Sequence, residues 1–308
     1  ICPERPMTHR LVHMPYHTSA KPFSIGLRSI TPETWLEPDA DLGRYLDEKA
    51  RLIASERPQV FLAEPGTEAA QQECLDTVAG HLLRDHAHLC SRTAEGRLAL
   101  AGRAVALDAP GTPPLEIAGS LVQDDLVLLR RRETGWHIVA AYVAFPSAWS
   151  LPEKFGRPME EVHAPVPGFQ AGTRNAGLIN RIFDNLQPEL PAERFNWSVY
   201  PRGDLFWPPE VSAAHGRAPF DAASHIVRVE RQTLRRLPVS GDIVFTIRIY
   251  IDPIAALLRH PDGAVLAQSL ADRLDGLEPD QLAYKAMTAK KDGLVAYLRQ
   301  AALEKSDA

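Results

Sequence analysis

The stretch His225-Ile-Val-Arg-Val-Glu-Arg-Gln-Thr-Leu-Arg-Arg-Leu237, followed across Pro238-Val-Ser-Gly-Asp242 by Ile243-Val-Phe-Thr-Ile-Arg-Ile-Tyr-Ile251, decides the fold. β-Branched and aromatic residues alternate with polar ones on both sides of a turn, which predicts a hairpin of two long strands. In the first strand the period of two places Arg228, Glu230, Gln232 and Leu234 on one face, with Val227, Val229, Arg231 and Thr233 on the other. Both faces carry polar groups, so this is either an edge strand with solvated charges or one wall of a pocket. In the second strand Ile243, Phe245, Ile247, Ile249 and Ile251 form one apolar face, and Val244, Thr246, Arg248 and Tyr250 form the other. Arg248 and Tyr250 are therefore expected beside the polar cluster, which favours the pocket wall. A paired glutamate and arginine on such a wall can hold a cationic amine or orient a polar diatomic ligand.

Outward from this hairpin the chain reads as helices at both ends around further strands. Helices are expected over 39–56, closed by Pro58, and from Thr67 to about Cys90, with a short strand at 60–63 between them. Residues 115–131 and 136–145 read as antiparallel neighbours, a helix follows over 176–186, and a strand over 195–200. Pro253 opens a helix, 264–274 makes another, and 279–303 the last. The expected class is α+β, with one mixed or antiparallel sheet framed by N- and C-terminal helices. Residues 1–95 form an arm and helices packed on the core, 96–252 the core, and 253–308 the closing helices, together one compact unit.

Composition narrows the function classes. The 308 residues are 45% hydrophobic and 24% charged with a net charge of −5, ordinary for a soluble globular chain and without general attraction for nucleic acid. Cys2, Cys74 and Cys90 are odd in number and far apart, so neither a disulfide framework nor a Cys-x-x-Cys site is expected, and a cytoplasmic setting is the simplest. No apolar run is long enough to span a membrane. The 26 prolines exceed the usual ~5% and mark many fixed, irregular connections. No nucleotide-binding, hydrolase or zincin motif is present.

One of those connections is Arg157-Pro-Met-Glu-Glu-Val-His-Ala-Pro-Val-Pro-Gly-Phe169. Its prolines fix φ and remove backbone donors, so His163 is presented from a stiff frame that suits a metal ligand. The competing reading is a buried histidine that only hydrogen-bonds a carbonyl. His9, His13 and His17 are spaced by four, but Pro6 and Pro15 break any helix there, so an extended arm is expected rather than a metal site. His81, His86 and His88 do not share a helix face and read as solvated.

Several of these motifs together resemble the alpha subunit of haem-dependent oxidative N-demethylases. They are Glu230-Arg-Gln-Thr-Leu-Arg-Arg-Leu-Pro238 with the following Ser240-Gly, Phe245-Thr-Ile-Arg-x-Tyr250, Val162-His-Ala-Pro-Val-Pro-Gly168 and Phe145-Pro-x-x-Trp149, and the similarity runs from the 22–36 segment to the C-terminal helix. The resemblance implies a PAS-like sheet holding haem b. It further implies oxidation of a small methylated amine such as dimethylamine, with dioxygen, to the demethylated amine and formaldehyde. Electrons would come from a separate reductase carrying FMN and an iron-sulfur cluster and fed by NADPH, and formaldehyde would pass to tetrahydrofolate on a partner subunit. On this reading His163 is the axial iron ligand, with His225 its rival. Glu230, Gln232 and Arg248 form the distal, catalytic wall, and Arg231 and Tyr250 join the cofactor-binding set, Arg231 from the opposite face on a propionate or a structural carboxylate. Two other classes share the scaffold: a haem-based gas sensor, and a haem-free amine-binding protein that a visible absorption spectrum would separate at once.

Overall fold

The structure, a computed structural model, describes residues 9–18, 23–170 and 172–306. Of the N-terminal arm, 1–8 and 19–22 lie outside the described residues, as does Cys2. Along the chain come β1 (Arg28–Ser29), α1 (Leu42–Val60), β2 (Phe61–Ala63), α2 (Glu68–Asp85), and then β3 (Cys90–Arg92), β4 (Leu98–Leu100) and β5 (Arg103–Val105). Next are α3 (Pro114–Gly119), β6 (Asp125–Arg132), β7 (Gly135–Tyr142), α4 (Leu151–Lys154), α5 (Met159–His163), α6 (Arg174–Asp184) and β8 (Ala192–Tyr200). The remainder is α7 (Pro209–His215), β9 (Ile226–Arg236), β10 (Ile243–Pro253), α8 (Ile254–Arg259), α9 (Gly263–Asp275), α10 (Pro279–Tyr284) and α11 (Lys291–Ser306). No described helix is long and apolar enough to cross a membrane.

The chain is α+β, as expected, and its main sheet has seven antiparallel strands in the order β1-β8-β9-β10-β6-β7-β2. β9 is therefore interior rather than an edge strand. One face of the sheet is covered by α1 and α2 toward β6 and β7, and by α8, α9 and α11 toward β8 and β9, where Val227, Val229 and Tyr250 meet Leu257, Leu270 and Leu298. The other face carries Val127, Leu129, Ile138 and Leu234 and packs against Met159, Phe169 and the apolar stripe of α6. This second face holds the candidate site.

Local departures from the sequence reading have identifiable causes. α1 is two helices meeting at a kink: the first ends at Glu56, which leaves helical geometry (φ −130°, ψ 24°) two residues ahead of Pro58 as expected, and a further turn runs to Val60. α2 ends at Asp85, since Cys90–Arg92 is drawn into a three-stranded sheet with β4 and β5. The stretch read as a strand from Leu115 begins as α3, where Pro114 supplies a helical φ at the first turn. The last helix is two: α10 stops in a Schellman motif, in which Met287 N–H donates to Leu282 O and Ala286 N–H to Ala283 O, with Ala286 at φ 52° in the place glycine usually takes.

α3 must approach β7 closely. A Cβ on Gly119 would lie 2.0 Å from Cδ1 of the Tyr142 ring, and Tyr142 is fully buried with its hydroxyl donating to Lys49 O. Gly119→Ala should therefore destabilise the protein by about 1–3 kcal/mol through overpacking. Denaturant unfolding that gives the wild-type midpoint would show that the α3–β7 contact has room to spare.

Candidate active site

A cavity of about 730 Å³ lies on the second face of the sheet. Its floor is apolar, with Val127, Leu129, Ile138, Phe245 and Ile247 contributed by β6, β7 and β10, and its opposite wall is built by the connection from β7 to α6, including Trp149, Met159, Val162 and His163. Two elements of the sequence reading meet there: the proline-framed histidine and the polar stripe of β9.

His163 is the last residue of α5, a short helix that starts directly behind Pro158. Its Nδ1 lies 2.8 Å from Met159 O. A carbonyl only accepts, so the ring proton sits on Nδ1 and the Nε2 lone pair is left over. Among the described residues Nε2 has no hydrogen-bond partner, and the ring is half-buried on the cavity wall. Burial, reinforced by the nearby charges of Lys154 and Arg194, pushes the imidazole pKa down to about 4 against the bond to Met159, so the ring is neutral at physiological pH. A neutral imidazole with Nδ1–H tied to a carbonyl is the arrangement in which a histidine ligates a metal.

Among the described residues no group of three His, Cys, Asp or Glu side chains could hold a metal ion. A lone imidazole on the wall of a large cavity with an apolar floor fits a metal whose other ligands are carried by the cofactor itself, so the residues present would fit haem, with His163 the residue that would hold its iron. The rival, His225, has Nδ1 within reach of both Asp221 O at 2.9 Å and the donating Asp221 N–H at 3.1 Å, so its contacts do not choose a tautomer. Its Nε2 is unpaired too, but the side chain is 2% exposed, packs on Phe220 and does not line the cavity.

Glu230 and Gln232 also line the cavity. Gln232 Nε2 donates to Glu230 Oε2 at 2.7 Å, and Asn196 Nδ2, from the cross-strand partner on β8, donates to the same oxygen at 3.3 Å. Oε1 has no hydrogen-bond partner among the described residues. The carboxylate is thus held from one side and open on the other.

Arg248 and Tyr250 are not in this site. In the β9–β10 pairing Glu230 opposes Ile249 and Arg248 opposes Arg231, so cross-strand neighbours put Arg248 and Tyr250 on the face with Arg231, away from Glu230. The expectation that they adjoin the polar cluster is corrected by this register. It is the apolar face of β10 that lies beside Glu230 and Gln232. On the far face Arg248 donates to Asp39 at 2.9 Å and packs over the rings of Tyr45 and Tyr250. Tyr250 donates to Glu37 at 2.6 Å. Arg231, 1% exposed, donates to Glu193 at 2.7 Å and to Trp35 O at 2.9 Å, which makes its partner a structural carboxylate. The arm histidines are dispersed over separate partners, His9 on Asp252 and His13 on Glu37. His81, expected in solvent, is fully buried, because Asp85 one turn on and the Leu36 backbone give it polar partners inside.

The far-face network gives a pH-dependent prediction. Burial alone would raise the Glu37 pKa, but the bonds from His13 and Tyr250 and the charge of Arg231 outweigh it and hold the carboxyl at about 2. A depressed folded pKa gives stability that is fully present above the unfolded value of ~4.3 and lost as pH falls toward 2. Glu37→Gln should therefore flatten the acid limb of a stability-against-pH curve between about pH 4 and 2, and parallel curves for the two proteins would take Glu37 out of that account. Arg231→Met leaves the Glu193 carboxylate, 3% exposed on its side chain, without its buried partner and should cost about 3–5 kcal/mol in denaturant unfolding.

Asn196 escaped sequence reasoning because its role depends on which residue it faces across the β8–β9 ladder. The geometry has an external counterpart. The family model described as haem-dependent oxidative N-demethylase, alpha subunit-like, matches residues 26–295, a span that runs from ahead of β1 into α11 and holds the sheet, the His163 segment and the whole cavity floor. The chain belongs to the family of haem-dependent oxidative N-demethylase alpha subunit-like proteins.

Proposed function

We propose that this chain binds haem b through His163 Nε2 and removes a methyl group from a small methylated amine of the dimethylamine kind. The observation that carries the reading is the His163 imidazole, its proton fixed on Nδ1 by Met159 O and its Nε2 free on the wall of an apolar cavity. In balance a methylated amine, dioxygen, two electrons and two protons give the demethylated amine, formaldehyde and water. Haem supplies the dioxygen and electron chemistry when bound. The electrons come from a separate reductase subunit with FMN, an iron-sulfur cluster and NADPH, and formaldehyde passes to tetrahydrofolate on a partner. A PAS-like reading of the antiparallel sheet and a cytoplasmic setting belong to the same proposal.

The chain's own residues do the rest. Phe245, Ile247 and Val127 keep water from the floor. Glu230 Oε1 accepts a hydrogen bond from the amine N–H, while Gln232 and Asn196 hold Oε2 and so fix which oxygen the substrate meets. Such a charge-assisted bond in a partly desolvated site is worth about 1.5–3 kcal/mol, about one to two decades in affinity.

Purified protein reconstituted with haem should show a Soret band characteristic of histidine ligation. His163→Ala should lose it or recover it with added imidazole. An unaltered band in His163→Ala, with loss in His225→Ala, would move the ligand to His225. Glu230→Gln should weaken the spectral shift caused by dimethylamine at pH 7 by about ten- to a hundredfold in apparent Kd. Equal amine titrations for the two proteins would remove Glu230 from substrate binding.

A further inference from the structure

The cavity wall holds more positive charge than its carboxylates balance. Some of its cations are already satisfied: Arg28 pairs with Glu193, Arg228 is surrounded by the carbonyls of Phe145, Asp204 and Leu205, and Lys290 turns to Val199 O. Lys154, Arg194 and Lys285 are different. Lys154, at the end of α4, lies 4.6 Å from the centre of the Trp149 ring and has no hydrogen-bond partner among the described residues. Arg194, on β8, spends one Nη2 contact of 3.3 Å on Ser24 O, and its Nε is buried with no partner. Lys285, the residue that closes α10 ahead of Ala286, reaches neutral groups only, Asn196 Oδ1 at 3.0 Å and Trp197 O. None of the three has a carboxylate within ion-pair distance among the described residues.

One buried carboxylate on the wall, Glu230, sends its field to all three. Burial nonetheless pushes both lysines down to about 8, as expected of ammonium groups taken out of water without a full counter-charge. The lining carboxylates, buried Glu230 and exposed Glu153, are outnumbered by Lys154, Arg194 and Lys285 even before the carbonyl-bonded Arg228 and Lys290 are added, so the polar part of the wall keeps a net positive charge beside an apolar floor. The ligand that complements this is flat and apolar with two carboxylates at one edge.

We infer that Lys154, Arg194 and Lys285 are the anchors for the two propionates of the porphyrin. The inference rests on the haem reading above and adds to it which way the macrocycle faces. It also gives Glu230 a second state. In the empty cavity its charge offsets the cations, and once two propionates take that place its free oxygen is released to an ammonium. Cofactor loading and amine binding are thereby coupled through charge alone.

The test titrates ferric haem and haem dimethyl ester, in which both propionates are neutral, into the full chain and reads the Soret absorbance. The wild type should bind haem at least about tenfold more tightly than the ester, since one charge-assisted contact is worth about that factor. Lys154→Met, Arg194→Met and Lys285→Met should each weaken haem by about tenfold and leave the ester within about twofold of wild type, with Lys154→Arg retaining haem affinity. Equal wild-type affinity for the two ligands, or variants that weaken both alike as a merely structural role would, overturns the anchors and leaves the haem reading standing. A wild type that binds neither ligand takes down both.

Discussion

The antiparallel register between β9 and β10 is the constraint on which everything else depends. Each strand has eleven residues, and the turn between them sets even-numbered positions of one opposite odd-numbered positions of the other. That parity sends Glu230 and Gln232 to the cavity with Ile247 and Phe245, and sends Arg231, Arg248 and Tyr250 to the face under the N-terminal segment. A one-residue slip would exchange the two sets, burying Arg248 where the floor is apolar and turning Glu230 toward Trp35. The far-face partners oppose such a slip: Arg231 has Glu193 and two backbone carbonyls, Arg248 has Asp39 and two aromatic rings, and Trp35 donates to Thr233. Polar residues on the far face thus fix the position of those that line the cavity.

The same logic governs His163. A histidine at the end of a helical turn spends one nitrogen on the carbonyl four residues back, and that local bond chooses the tautomer before any ligand arrives. Burial then keeps the ring neutral. Geometry and electrostatics converge on a neutral imidazole whose free Nε2 faces the cavity and would need no deprotonation to serve as a ligand.

How much of this was legible depended on the range of the interaction involved. Strands β9 and β10, the hairpin β6–β7 and the helices α6, α8 and α9 were readable because alternation and helical period are local. The face of Arg248 was not, since alternation within each strand says nothing of how two strands are registered. The break at Glu56 ahead of Pro58 was readable for the same local reason, while the extra turn to buried Val60 was not. The buried state of His81 depends on Leu36, far away in sequence. Lys154, Arg194 and Lys285 come from three separate elements, and nothing in their own neighbourhoods distinguishes them from solvated charges. The histidine and the glutamate stood out because prolines frame one and an improbable polar run contains the other.

The outermost strands of the main sheet are two and three residues long, and the stretch of β8 left uncovered by β1 has the Lys285 ammonium on Trp197 O and the Lys290 ammonium on Val199 O. Carbonyls capped in this way cannot accept the ladder of an added strand. β-Augmentation along that stretch of β8 is thereby disfavoured. Along that stretch of β8, docking by side chains, where surface shape selects the partner, is favoured over a generic backbone template.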